Sequence, residues 1–321
     1  MARQEEIVKE RLKKIEELGA MGINPYPYSY DRKNTAAELQ ERYKGLGKDK
    51  KKNDGVKIAG RVLTIRDIGS IMFATMEDGS GRIQIILQDK ETPEKEIIFF
   101  KKYIDSGDFI GVEGEILRTK RGELSVVAKK IEVLSKSLLP LPEKWHGLQD
   151  KEERYRKRYL DLIMNPRVKE TFILRSKILN AVREFLDKKG FLEVDTPVLQ
   201  PLYGGAAAKP FTTKLNALNM NLYLRISNEL YLKRLLVGGF EKVYEFARDF
   251  RNEGIDKTHN PEFTQVEMYQ AYADYNDMMS LCEDIFEYTA KKVLGKTTIE
   301  YQGNKIDLKK PWIRITMKEA V

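Results

Sequence analysis

Cysteine is nearly missing from this 321-residue chain. Cys282 stands alone, which excludes an internal disulfide framework and a cysteine-based metal cluster. Long hydrophobic runs are missing too. No apolar stretch approaches the roughly 18 residues that a membrane span needs. The opening MARQEEIVKERLKK has no apolar core of the kind a secretory signal carries. These absences set the expectation of a cytoplasmic protein with no membrane partner. Low-complexity tracts are absent as well, and 41% hydrophobic with 33% charged residues is the balance of a globular chain long enough for about two domains. Acidic charge is the scarcer sign: the formal net charge of +8 points towards a polyanionic partner and says nothing of fold.

Residues 3–18 repeat apolar positions at helical spacing, with Ile7, Leu12, Ile15 and Leu18 expected on one side and Gly19 and Gly22 as stop signals. The opposite, charged side is either a solvated face or a face against nucleic acid. The lysine run KDKKKND at 48–54 reads as a mobile surface loop. From Val56 the texture changes to short β-branched segments broken by Gly, Asp and Ser, as in VKIAGRVLTIRDI and GRIQIILQD. Five such strands, interrupted by the helical EKEIIFFKKYID, suit an OB-fold barrel over 55–136. Such barrels bind single strands by stacking bases on aromatics in a basic groove; Phe73 and Arg66 are candidate contacts or ordinary barrel residues.

Residues 137–160 contain Pro140 and Pro142 and read as a linker. Beyond it, RVKETFILRSKILNAVREFLDKKG has the period of an amphipathic helix closed by Gly190, FLEVDTPVL is extended up to Pro197, and NELYLKRLLVGGF is a second helix with a glycine stop. Helices mixed with antiparallel strands make residues 161–321 an α+β domain. Its most charged stretch is FRNEGIDKTHNPEFTQVEMY, residues 250–269. At a period of two, Arg251 and Glu253 share one strand face, and Phe263, Gln265, Glu267 and Tyr269 share that of a second strand. A polar loop with Gly254 and Pro261 separates them, so a hairpin is expected. The alternative is an amphipathic helix with Phe263, Val266 and Tyr269 on its core side.

Two motifs add a family likeness. KKGFLEVDTPVL matches a helix, a basic-Gly-aromatic turn and a strand ending in proline. Phe250, Arg251, Glu253, His259 and Phe263 match aromatic-Arg-x-Glu, a loop, then Arg or His with a phenylalanine four positions on. On these the chain resembles the class II aminoacyl-tRNA synthetases. Through HGLQDKEERYRKRYLDLI, GGAAAKPFTT and LYLRISNELYLKRLLVGGFEKVYEFARDF it is similar to the bacterial-type lysyl-tRNA synthetases. The resemblance implies ATP-dependent activation of L-lysine and its transfer to tRNA(Lys). It makes Arg251 the catalytic cation at the α-phosphate, with Glu253 at the adenine end, His259 at the terminal phosphates and Phe263 against the adenine ring. It assigns lysine to Gly205, Ala206, Glu229, Glu267 and Tyr269, and the anticodon to Arg66, Phe73, Gln84 and Glu123. Within the segment of residues 1–54, a basic helix and loop, the helix at the start would then lie near the tRNA backbone.

The chain also departs from the family pattern. The glycine-rich third motif, whose arginine covers the other adenine face, does not occur in the 321 residues, and neither do the acidic residues that precede it and hold Mg2+. The expectation is therefore a truncated family member that is weak or inactive by itself, the alternative being a non-catalytic tRNA-binding fragment. The first motif implies a homodimer, in which Phe172, Ile173 and Ile178 are interface residues or else internal core.

Overall fold

The computed structural model describes residues 2–142 and 148–320, and the chain divides into two compact units, one ending at Met164 and the other beginning at Asn165. Part of the proline-containing stretch, 143–147, lies outside the described residues.

The first unit starts with helices α1 (Ala2–Ala20) and α2 (Ala36–Arg42). Strands β1 (Lys50–Asp67), β2 (Ile71–Glu77) and β3 (Arg82–Gln88) follow, then helix α3 (Glu94–Tyr103), then β4 (Phe109–Arg118) and β5 (Leu124–Ser135). The five strands close into a barrel in the order β1-β2-β3-β5-β4. The β3–β5 pairing is parallel and the others are antiparallel. This is the OB-fold that the strand spacing announced.

Alternation explains the barrel. Val56, Ile58 and Val62 of β1, Met72, Ala74 and Met76 of β2, and Ile83, Ile85 and Leu87 of β3 point inwards and are buried, as a period of two requires. Phe100 of α3 joins the same core. Where β4 shifts register against β5, Gly114 lets the backbones close up; a Cβ there would stand 2.2 Å from the Val127 carbonyl oxygen.

Two sequence expectations fail in this unit. The lysine run is not a loop throughout, because β1 begins at Lys50, which lies opposite Arg118 of β4, and Lys51 is held by Glu91 and Glu115. On α1, Leu12 is exposed and Arg11 takes the buried position instead. The Arg11 guanidinium donates to the carbonyls of Ser137, Leu139 and Ser106, and Lys14 pairs with Asp105 at 2.8 Å. A long cationic side chain can cover apolar surface with its stem while its head satisfies free carbonyls. Two of the helix's basic residues thus hold it to the barrel. Short helices α4 (Lys151–Arg156) and α5 (Arg158–Met164) end the unit.

The second unit opens with α6 (Pro166–Lys188), whose first-turn proline and closing Gly190, at φ +79°, match the helix signals. The small strands β6 (Leu192–Glu193), β7 (Leu199–Gln200), β8 (Thr212–Leu215) and β9 (Met220–Leu224) follow, then α7 (Glu229–Val237), β10 (Lys242–Phe250), β11 (Glu262–Gln270) and α8 (Tyr275–Leu294). β10 and β11 form an antiparallel hairpin, with β6 parallel on the far side of β10. The helical alternative for 250–269 is therefore excluded.

The sheet has two unlike faces. Tyr244 and Phe246 of β10 with Val266 and Met268 of β11 pack on Val182, Phe185 and Leu186 of α6 and on Leu281 and Ile285 of α8. Those are every-second residues of each strand and one stripe of each helix. The intervening residues Glu245, Asp249, Gln265, Glu267 and Tyr269 share the opposite face. Nearer the start of α6, Phe172, Ile173 and Ile178 are exposed, so they are not internal core of this chain.

Candidate active site

The hairpin places Phe263, Gln265, Glu267 and Tyr269 on one face of β11. β10 ends at Phe250, so Arg251 and Glu253 lie just past the strand and not within it, as the period had suggested. Arg251 is held by its backbone N–H, which donates to the Pro261 carbonyl at 2.9 Å. Its guanidinium sits 5.0 Å from the centroid of Phe263, and its Nε is buried without a hydrogen-bond partner. Phe263 and Glu267 follow along the same face of β11.

Glu267 carries an unusual set of neighbours. Its Oε1 accepts from Ser227 Oγ at 2.8 Å and Gln265 Nε2 at 2.7 Å, and its Oε2 accepts from the Tyr269 hydroxyl at 3.1 Å. All three donors are neutral, and among the described residues no cation lies within ion-pair distance. Burial, then the nearby Glu267 and Glu229 carboxylates, raise the Tyr269 hydroxyl above its ordinary pKa, so it stays a donor.

Directly across the hairpin from Glu267 stands Glu245, an arrangement that repels unless each charge is compensated. Glu245 is compensated fully. Arg225 Nη1 donates to its Oε1 at 2.7 Å, the Thr196 hydroxyl and amide donate to its carboxylate, and so does Asn228 Nδ2. Arg225 also comes within 3.2 Å of Asp249, a fully buried carboxylate whose oxygens make no aligned hydrogen bond. Burial, helped by Glu267 and Glu245 and opposed by Arg225 and Arg251, pushes the Asp249 carboxyl up to about 6.

Of the remaining candidates Gly205 and Glu229 adjoin this wall, and Glu253 and His259 lie in the loop between β10 and β11. Gly205, at φ +87°, packs against the start of α7 so tightly that a Cβ would meet Ser227 Oγ at 2.7 Å and Glu229 Cβ at 2.9 Å. Only glycine fits both the backbone and the space. Ala206 is its half-buried neighbour. Glu229 begins α7 and is engaged by Lys233 at 2.6 Å, so any ligand cation there competes with that lysine. Glu253 is exposed, and its Oε1 accepts from the Lys209 amide at 3.3 Å, while Asn252 N–H donates to the Lys209 carbonyl. These two bonds tie the small-residue loop to the hairpin loop. His259 is also exposed, its Nδ1 2.7 Å from Asp256 Oδ2. Asp256 collects the amides of Thr258 and His259 as well, which holds its carboxyl far below the usual range.

In the barrel, register decides which residues meet. Arg66 lies opposite Phe73, Thr75 opposite Gln84, and Gln84 opposite Ser125. Arg66, Phe73 and Gln84 therefore share one outward face, with the Arg66 guanidinium 6.0 Å from the Phe73 ring. Glu123 is exposed immediately before β5. The buried Ser125 hydroxyl donates to Gln84 Oε1 at 2.9 Å, which turns the Gln84 amide group outwards.

Comparison with known proteins settles the lineage. Residues 150–321 match the family described as tRNA synthetases class II (D, K and N), and residues 56–134 match the OB-fold nucleic acid binding domain. The chain belongs to the class II tRNA synthetases of that group. It is 55% identical to a protein named lysine–tRNA ligase from Carboxydothermus hydrogenoformans, over 98% of this chain and 64% of that protein. The protein of that name from Methanoculleus marisnigri is 51% identical over 97% and 61%, and that from Pelotomaculum thermopropionicum 53% over 98% and 61%. The chain thus spans a little over three-fifths of the length of these relatives.

Several residues of this synthetase's sheet face escaped the sequence reading. Arg225, Glu245 and Asp249 are separated by ordinary spacings, and only the fold gathers them. Gln265 did carry a signal, since it alternates with Phe263, Glu267 and Tyr269. Ser227 carried none, apart from its position just before a helix.

Proposed function

We propose that this chain supplies the lysine- and ATP-binding wall, and the anticodon-reading barrel, of a cytoplasmic lysine–tRNA ligase. The observation that carries this is Glu267: a half-buried carboxylate dressed by three neutral donors, with no cation of the described residues within ion-pair distance. A buried carboxylate is costly without an opposite charge, and the ε-ammonium of lysine is a cation of the right kind. An acidic amino acid would leave Glu267 uncompensated and add repulsion, which argues against aspartate within the same family.

In this reading a lysine carboxylate oxygen attacks the α-phosphorus of ATP and the bond to pyrophosphate breaks; a hydroxyl at the 3′ end of tRNA(Lys) then attacks the lysyl carbonyl carbon and AMP leaves. Arg251 offers a planar fork for carboxylate and phosphate oxygens where charge accumulates. Phe263, already stacked with Arg251, takes the adenine, Glu253 its polar edge and His259 the terminal phosphates. Gly205 and Ala206 allow close approach of the lysine backbone, Glu229 meets its α-amino group, and Tyr269 shares the ammonium with Glu267. On the barrel, Phe73 stacks an unpaired base while Arg66, Gln84 and Glu123 meet base edges. Two copies pairing through the exposed apolar residues of α6 complete the picture.

The family also implies Mg2+. Among the described residues no group of three or more His, Cys, Asp or Glu side chains is placed to hold a metal ion, so they do not fit it and no step here runs through it.

The test is calorimetric titration of L-lysine. The parent chain should bind lysine and not aspartate, and Glu267→Gln should weaken lysine by roughly 100-fold, the loss of one desolvated charge pair. Equal lysine affinity in the two proteins would overturn the assignment.

A further inference from the structure

Glu267 is not merely present; its two oxygens are differently committed. A carboxylate has about four acceptor positions, two on each oxygen. Oε1 accepts from both Ser227 and Gln265, whereas among the described residues Oε2 accepts from Tyr269 alone. The direction of each bond is fixed by chemistry. Gln265 can reach a carboxylate only through its amide nitrogen. The Ser227 oxygen is occupied as acceptor by the Glu229 amide at 3.1 Å, so its single proton goes to Glu267.

We propose that Ser227 and Gln265 are specificity-determining positioning residues, which close Oε1 of Glu267 and leave one acceptor site on Oε2 for the substrate cation. This deepens the lysine reading above and rests on it. A single open acceptor suits an ammonium, which donates along one N–H and directs its others elsewhere. A guanidinium prefers two parallel donors onto both oxygens of a carboxylate, and the occupied Oε1 denies it that fork. The pair thus favours an alkylammonium side chain over a guanidinium one by the geometry of lone pairs as well as by charge. Gly205 belongs to the device, since any side chain there would displace Ser227.

The experiment is calorimetric titration of the 321-residue chain with L-lysine, L-arginine and ATP, in the parent, Gln265→Leu and Ser227→Ala. Gln265→Leu is the cleaner variant, because among the described residues its side-chain amide bonds to Glu267 alone, whereas Ser227 also accepts the Glu229 amide at the start of α7. Lysine should weaken by roughly 10-fold in each variant, the scale of one charge-assisted hydrogen bond. ATP affinity should hold, and the preference for lysine over arginine should fall as Oε1 opens. Thermal melts of each variant separate this from loss of fold. A Gln265→Leu protein that melts like the parent and keeps both lysine affinity and the lysine-to-arginine ratio would overturn the proposal while leaving the lysine site intact. A parent that binds neither amino acid would instead overturn the reading on which it rests.

Discussion

The two units both bury charge, and they do so on opposite terms. At the base of the barrel, Lys136 is fully buried and bonded to Asp108, Asp105 and the Tyr103 carbonyl, with Lys14 on the other side of Asp105. Two carboxylates there meet two ammonium groups, and the Asp108 carboxylate also takes the amides of Asp105 and Ser137. The cluster is closed and its work is structural, fastening α1 and the chain after β5 to the barrel. On the sheet of the second unit, Glu245, Asp249 and Glu267 share one face, and among the described residues Arg225 is the one buried cation against them. A balanced cluster holds a fold together; an unbalanced one on an accessible face leaves a place for a ligand's charge.

The comparison is broken most severely by removing the cation on the sheet side. Arg225→Ala leaves Glu245 and Asp249 buried without their partner, and it frees the carbonyls of Thr196 and Arg248 that the guanidinium satisfies. The expected loss is about 3–5 kcal/mol of unfolding free energy, read by urea denaturation. A loss under about 1 kcal/mol would mean that water already compensates these carboxylates and that the face is not a low-dielectric site.

A smaller effect sharpens the same contrast through pH. The folded Asp249 carboxyl lies near 6 against an ordinary value of 3.8. A raised folded value means that its contribution to stability is full below about pH 4 and is lost as pH rises through 6. Asp249→Asn should match the parent near pH 4 and exceed it at pH 7, by at most about 3 kcal/mol for a shift of this size. Thermal melts at a series of pH values between 4 and 7 would show the two curves parting in that window. Curves that stay parallel would mean that Asp249 is ionised throughout and better paired than its geometry indicates.

How much of this was legible beforehand follows from the range of the forces. The barrel strands were readable because an apolar residue at every second position has one physical cause. Gly190 and the hairpin loop were readable because turn chemistry is local. Leu12 was expected on the inner side that Arg11 takes instead, because burial of a cation depends on carbonyls about a hundred positions away, which no helical period records. Arg225 and Glu245 were invisible as a pair for the same reason. Ser227 became meaningful only once the fold set its hydroxyl against Glu267.

The mildest test returns to the barrel and the outer face proposed to read bases. Phe73 lies half-buried on the outside, between Arg66 on β1 and Ile86 on β3. The interior it does not touch is closed by Met72 and Ala74 on either side of it in sequence. Phe73→Ala should therefore leave the melting temperature of the barrel within a few degrees. It should also cost about 1–3 kcal/mol in binding an RNA hairpin with an unpaired uridine-rich loop, the value of one base stacked on an aromatic. The salt dependence should not change, since no phosphate contact is lost. A variant that binds the loop as well as the parent would move recognition off this face. A variant that loses stability in proportion to binding would make Phe73 a barrel residue whose exposure is incidental.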